Sequence, residues 1–589
     1  MEALQAVTSG TSYVTVLQAR GCDSRDGGRP ASTSRLLLKN RRGVRIFTHK
    51  NRCSKQISCS AGPAAAGGRN SLAPHELGRA DFVLTEKVFR LWRTQQPRPS
   101  RQSSSSWVPN VATSPKGDMW QSVDYDPVPK VEEEESSNGS SSQFDWKTNW
   151  YPVIPEMDLD KKVPYPFQVL GRKVVFWYDS EKWNCVLDSC PHRLAPLSEG
   201  RIDEQGCIQC SYHGWSFRGD GSCARIPQAR KEGPEAKACE QSKSGAVVLP
   251  VVVKQGILFV WPDESSKDLA SITEPPITPG IEEEGWCAVG TFRDLPYGYD
   301  TGMENLADPS HIPVAHHNVN GGIMGKRDQA TFLDLEVKKS GPMGFEAEMK
   351  KVVGPPSIHT FHAPARFTYA FELRNISGAR AATTTYCTPT SPGNCRIVVV
   401  NARNFMIGIS SGPNWWQLFP RWLDHQMMLN LLDGDATLLH GQERYLREKT
   451  GGEMEKWNKA YYMPTTADRY VGAFRQWLAR FGGKGVQWAE GVDPTLPPLI
   501  TKREDLLNRY TTHTKQCKVC SDALHNFELA RKVLFVLAAA LLGLGAVLGN
   551  PVSRMQAVGV AALAGLVGWY LGGWIQMFYY KGYDHARIP

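Results

Sequence analysis

At 589 residues, with 41% apolar and 22% charged residues, the chain has room for more than one domain and enough apolar side chains to bury a core. Fourteen cysteines at scattered positions exclude a secreted disulfide scaffold and point to a reducing compartment. The net charge of +9 is concentrated near the N-terminus and no basic helix with interleaved aromatics follows, which sets aside a nucleic-acid partner.

Residues 1–60 hold eleven Lys/Arg, from Arg20 to Lys55, against Glu2, Asp23 and Asp26, among many Ser, Thr and Ala. A basic, hydroxylated, acid-poor leader without an apolar core reads as an organellar transit peptide, with a disordered basic tail as the alternative. Residues 61–143 include Ser103–Ser106, Glu132–Glu135 and the Ser-rich Ser136–Ser142, a composition expected of a disordered linker. Folded sequence is expected from Phe144, where Trp146, Trp150 and Tyr151 arrive together.

Within 144–265, Cys190-Pro-His192 is followed after 17 residues by Cys210-Ser-Tyr-His213. Each Cys–His pair fits a short loop. Two loops facing one another can hold one iron through two thiolates and another through two imidazoles, the Rieske arrangement of a 2Fe–2S cluster. Zinc is the competing reading, but Cys2His2 zinc sites usually pair two cysteines and two histidines separately. Gly200, Gly206, Gly214, Gly219 and Gly221 permit tight turns, and Val174–Trp177 and Val186–Leu187 read as strands of a small antiparallel domain. Cys207, three residues before Cys210, is expected to be a structural thiol.

Within 266–515, Glu304-Asn-Leu-Ala-Asp308-Pro-Ser-His311-Ile-Pro-Val-Ala-His316-His317 offers two imidazoles for a mononuclear ferrous site. Five residues on a regular helix turn through about 140°, so the helix must distort or end between His311 and His316, and Pro313 is a plausible cause. His317 is an alternative ligand. Asp308 before Pro309 reads either as a helix N-cap or as a hydrogen-bond partner of the His311 ring. The third ligand is expected from a later carboxylate, Asp433 or Asp435, in a stretch whose bland reading is a solvated acidic face.

Further on, Cys517-Lys-Val-Cys520 (segment 516–530) can form a reversible disulfide, with Lys518 favouring thiolate. Half of a zinc site is the alternative, but no Cys/His pair of suitable spacing follows. Val533–Gly549 and Ala557–Tyr579 are apolar stretches long enough to span a bilayer as a hairpin over 531–580. Trp569, Tyr570, Trp574, Tyr579 and Tyr580 suit an interfacial belt, and a buried hairpin in a soluble domain is the alternative. Arg531, Lys532, Lys581 and Arg587 flank the ends, against Arg554 alone in the turn.

The paired Cys190-x-His192 and Cys210-x2-His213 motifs, with Asp308-x2-His311-x4-His316, resemble the ring-hydroxylating Rieske oxygenases. CPHRLAPLSEGRIDEQGCIQCSYHGWSF (Cys190–Phe217), MENLADPSHIPVAHH (Met303–His317), EGPEAKA (Glu232–Ala238) and LFVWPDE (Leu258–Glu264) narrow the resemblance. They are similar to the plastid Rieske oxygenases of chlorophyll metabolism, nearest the pheophorbide a oxygenase group. The resemblance implies an α+β fold: a Rieske antiparallel β-domain, a helix-plus-sheet mononuclear-iron domain and a C-terminal transmembrane hairpin. It also implies His311, His316 and Asp435 as iron ligands, Asp308 as the carboxylate bridging cluster and iron between subunits of a ring, and Cys517/Cys520 as a thioredoxin target. The expected chemistry is opening of the chlorin macrocycle of pheophorbide a with O2 and ferredoxin electrons. The alternatives are action on protochlorophyllide or a bilin, or an electron-transfer subunit of a translocon. By the same resemblance the protein is a homo-oligomer, a trimer, with its catalytic domain in the stroma.

Overall fold

The computed structural model describes residues 144–588, apart from 323–324, 351–355, 374–377 and 406–419, and separately a two-stranded hairpin, Arg35–Asn40 with Gly43–Thr48. Apart from that hairpin, the expected transit peptide and linker lie outside the described residues.

From Tyr151 to Val260 the chain forms short antiparallel strands in three small sheets. Their β-branched and aromatic content, as in RKVVFWY of Arg172–Tyr178, favours a pleated half-buried surface. Leu170 and Gly171 take left-handed backbone between Tyr165–Val169 and Arg172–Tyr178, the conformation of a two-residue hairpin turn. The cluster motifs lie on two neighbouring loops. The first leads from Trp183–Leu187 to Arg201–Ile202, and the second joins Ile208–Gln209 to Ser216–Phe217. Beneath them Val175, Trp177, Val186, Leu197, Ile208 and Phe217 form a small core that also encloses Cys190 and Cys210.

The second half is built on a seven-stranded antiparallel sheet. Its spatial order is Cys287–Leu295, Asn394–Arg403, Arg380–Ser391, Arg366–Glu372, Ser357–His362, Gly344–Lys350, Asp334–Gly341. The last six are a meander, and Cys287–Leu295 pairs with Asn394–Arg403, the last strand in sequence, so that Cys287–Leu295 and Asp334–Gly341 are the two edges. Helix α1 (Tyr299–Leu306) and the single turn α2 (Ile312–Ala315) leave the Cys287–Leu295 edge. Helix α3 (Arg421–Thr450) crosses that edge strand, and α4 (Arg469–Arg480) packs on the far strands.

One apolar core runs through both halves. Trp146, fully buried, meets Tyr299 edge-to-face at 5.1 Å and donates its indole N–H to the carbonyl of Gly482 at 2.9 Å. The residues ahead of the first strand are thus seated in the second half, and Trp146→Ala would cost about 3–5 kcal/mol.

The two apolar stretches are helices α5 (Lys518–Val547) and α6 (Pro551–Tyr579). Asn550 caps α6 by accepting from the Val552 and Ser553 amides, with Pro551 at the first position. They lie antiparallel. A Cβ on Gly545 would meet Ala557, and one on Gly568 would touch the Phe535 ring. Small residues thus let the helices approach. In the most apolar windows of α5 and α6 only 6% and 22% of residues are buried, unlike a hairpin inside a soluble core. The segment 516–530, expected as a separate unit, is continuous with the first span because Lys518–Val547 is one helix.

Candidate functional site

The two cluster loops share one backbone pattern. The amide of Cys190 donates to Ala195 and that of Leu194 to Cys190, both at 2.8 Å. The amide of Cys210 donates to Trp215 at 2.8 Å and that of Gly214 to Cys210 at 3.0 Å. Each loop therefore needs a left-handed residue four places after its cysteine, supplied by Leu194 and Gly214. The thiols sit side by side in the small core, each 2% exposed, while His192 is exposed and His213 half-buried at the rim. The two imidazoles lie 4.6 Å apart between ring centroids, and His192 stacks on Trp215. Burial, with Cys210 beside it, pushes the Cys190 thiol up to about 11. Two crowded buried thiols and two rim imidazoles fit a 2Fe–2S cluster, whose positive irons would take the thiolates' charge. Cys207 lies outside that core, its amide donating to the Asp203 carboxylate at 2.9 Å.

His311 and His316 bracket α2 as its two caps, which is how residues five apart present their rings together. Their centroids are 5.2 Å apart. His311 donates from Nδ1 to the carbonyl of Asp308 at 2.5 Å, so its Nε2 faces inward. Asp435 Oδ1, from α3, lies 3.5 Å from His316 Nε2 and 3.9 Å from His311 Nε2. Burial lowers the His316 pKa, while for His311 the neighbouring Asp308 and Asp435 carboxylates outweigh burial and raise it. A buried carboxylate facing the Nε2 atoms of two imidazoles, with all three ligand atoms within 4.8 Å of one another, fits a divalent iron held by two histidines and one acid. His317 turns away, its Nδ1 accepting from the Arg327 amide at 2.9 Å.

Asp308 does not cap a helix. The chain from Ala307 to Ser310 is a turn, and α2 begins at Ile312 with His311 as its cap. Oδ1 of Asp308 accepts from the amide (2.7 Å) and hydroxyl (2.5 Å) of Ser310, and Oδ2 lies 3.7 Å from His311 Nδ1.

Asp433 and Asp435, two residues apart on α3, point about 200° apart around the helix. Asp433 is fully buried between arginines, with Arg293 at 2.5 Å on Oδ1 and Arg509 on Oδ2. It belongs to the frame. So does Glu304, which accepts from Arg475 at 2.6 Å and Tyr461 at 3.1 Å.

A cavity of about 310 Å3 opens over His311 and Asp435, walled by Asn305, Leu438, Leu439, Tyr461, Tyr462 and Met463. Asn305, for which the sequence carried no signal, places its side-chain nitrogen 3.4 Å from His311 Nε2. The C-terminal tail was also unforeseen. Tyr583 donates to the carbonyl of Ala315 at 2.8 Å and lies where a Cβ on Gly434 would stand, bracing the residues beside His316 and Asp435 from behind. Cys517 and Cys520 are remote from this cavity and fully buried against His425 and His513.

A family model described as Rieske 2Fe–2S domain matches residues 149–250, and one described as pheophorbide a oxygenase matches residues 361–453. The chain is 40% identical over 472 residues to the chloroplastic pheophorbide a oxygenase of Oryza sativa subsp. japonica, covering 78% of this chain and 88% of that protein. It is 40% identical over 479 residues to the Arabidopsis thaliana pheophorbide a oxygenase, with the same coverage. It is 36% identical over 480 residues to the chloroplastic flavonoid 8-hydroxylase 2 of Ocimum basilicum, covering 78% and 89%.

Proposed function

The chain belongs to the pheophorbide a oxygenase family of Rieske oxygenases, and on that footing we propose that it opens the chlorin macrocycle of pheophorbide a at a methine bridge, using O2 and electrons from ferredoxin, to give red chlorophyll catabolite. The reading rests on 40% identity over 78% of the chain to two proteins of that name. It is supported by a cavity with apolar and aromatic walls, which suits the edge of a flat apolar ring.

When bound, the cluster supplies electrons singly and the mononuclear iron activates O2. Cys190, His192, Cys210 and His213 are the proposed cluster ligands, and His311, His316 and Asp435 those of the iron. The backbone carbonyl of Asp308 holds the His311 ring in the tautomer that frees Nε2. The Asp308 carboxylate, 3.7 Å from His311 Nδ1 and 28% exposed, is placed to accept an imidazole N–H from a neighbouring subunit. His192, with Leu194 (76% exposed) and Tyr212 (59%) beside it, offers an edge for such a neighbour or for ferredoxin. The two apolar helices anchor the enzyme in a chloroplast membrane, where an apolar pigment partitions. Lys581 and Tyr583 return to the catalytic half, so the ends of the hairpin share its side, and the basic flanks favour the stroma.

The purified full chain with reduced ferredoxin should bleach the chlorin absorption of pheophorbide a, and leave protochlorophyllide and a flavone intact. Hydroxylation of the flavone, or a hydroxylated but closed tetrapyrrole, would replace this substrate assignment.

A further inference from the structure

Away from the iron, four metal-ligating side chains converge from three elements. His425 comes from α3, His513 from the wide turn Tyr510–Thr514, Cys517 caps α5 and Cys520 lies in its first turn. All four are fully buried, and their ligand atoms lie within 4.8 Å of one another. Nε2 of His513 is 3.2 Å from Cys520 Sγ. Nδ1 of His425 is 3.5 Å from Cys517 Sγ and 3.4 Å from Cys520 Sγ. A tetrahedral zinc with bonds of about 2.3 Å to sulfur and about 2.1 Å to nitrogen has sulfur–nitrogen edges of about 3.6 Å. The observed separations are close to those edges.

The surroundings complete the pattern. Nδ1 of His513 donates to the carbonyl of Phe292 at 2.7 Å, leaving Nε2 to the cluster. Nε2 of His425 faces Asp158 Oδ1 at 3.8 Å, and Asp158 is itself fully buried. A carbonyl or carboxylate behind each imidazole is the usual support of a metal-binding histidine. Thiol exchange needs an accessible sulfur, and neither sulfur is accessible here. Lys518, adjacent in sequence, pairs outward with Asp522 at 2.7 Å.

We propose that His425 Nδ1, His513 Nε2, Cys517 Sγ and Cys520 Sγ bind one zinc ion. Binding releases the two thiol protons to solvent and transfers no electron. The ion joins α3, the Tyr510–Thr514 turn and the start of α5, where the catalytic half meets the first apolar helix, with Asp158 standing behind His425. His425 lies ten residues before Asp435 on α3, about 15 Å along its axis, so the ion also steadies the helix that carries Asp435. The site is independent of which substrate the oxygenase takes.

The test uses the full chain, purified in detergent without chelator, with zinc and iron counted by mass spectrometry. About one zinc per chain is expected beside the iron. In Cys517→Ser/Cys520→Ser, zinc should fall to background while the reduced cluster keeps its paramagnetic signal. Wild-type protein carries the decision should that variant not fold. Titrating its thiols with a mercurial should release the zinc, and protein grown on cobalt(II) should show a thiolate-to-cobalt charge-transfer band. Wild-type protein without zinc, a Cys517–Cys520 disulfide in non-reduced protein, or zinc retained in the double variant would each overturn the assignment.

Discussion

Among the described residues, two places bring together two cysteines and two histidines, and they differ in what reaches them. At Cys190, His192, Cys210 and His213 the sulfurs are buried, and His192 stands in solvent with His213 at the rim. At His425, His513, Cys517 and Cys520 everything is sealed. A group that takes and passes electrons needs a covered core and an open edge, whereas an ion that holds helices together needs no edge. The sources differ as well. Two hydrogen-bonded loops of one small domain make the first site, and the second joins His425 of the distant α3 to the His513–Cys520 segment.

The largest expected effect tests whether the two sites are separate. His213→Ala should abolish the rhombic paramagnetic signal of the reduced cluster and all turnover, with zinc unchanged. An unchanged signal would remove His213 from the cluster. A fall in zinc would show that the sites are not separate.

Next come the two neighbouring acids of α3. Asp433→Asn leaves Arg293 and Arg509 buried with their shared carboxylate gone, and should cost about 3–5 kcal/mol in chemical unfolding. Asp435→Asn should fold with its cluster but drop from about three irons per chain to about two. If the two variants behave alike, the division of labour on this helix is wrong.

Asp308→Asn should reduce turnover by about 10- to 100-fold with the fold, cluster and iron retained. Asparagine can still accept from the Ser310 amide, so the turn survives. The missing charge faces His311, and the deficit should lie in electron transfer to the iron, seen in rapid-mixing kinetics of a reduced cluster. Near wild-type turnover would leave Asp308 with the turn alone.

The smallest effect carries the contrast between open and sealed groups over to protons. Burial pushes Glu443 up to about 7, and the Gly298 amide donates to it at 2.9 Å. Its folded pKa is above its unfolded value, so its contribution to stability is complete below about 4.5 and is lost as pH rises through 7. Glu443→Gln should flatten the decline of unfolding free energy across that window, by about 2–3 kcal/mol at most. An unaltered pH profile would mean that Glu443 is ionised throughout.

Local spacing was sufficient for the Rieske loops, because both ligands of each loop lie within four residues and the backbone closes around them. Pattern and length likewise marked α5 and α6, since an apolar run of that extent has few other uses. At the iron, sequence left His316 against His317 and Asp433 against Asp435 to the family resemblance. Helical periodicity says that positions 433 and 435 face apart, but not which face meets α2. That was decided by Arg293 and Arg509 arriving from a strand and a distant turn to claim Asp433. No Cys/His pair follows Cys517 and Cys520; their partners lie upstream, His513 just before Cys517 and His425 92 residues before it. Tyr583 reaches Ala315 across 268 residues. Sequence by itself determined the elements and the groups that share one loop or one helix turn. Tertiary structure decided which groups from different elements meet, because such contacts depend on how whole faces pack and leave no local period to read.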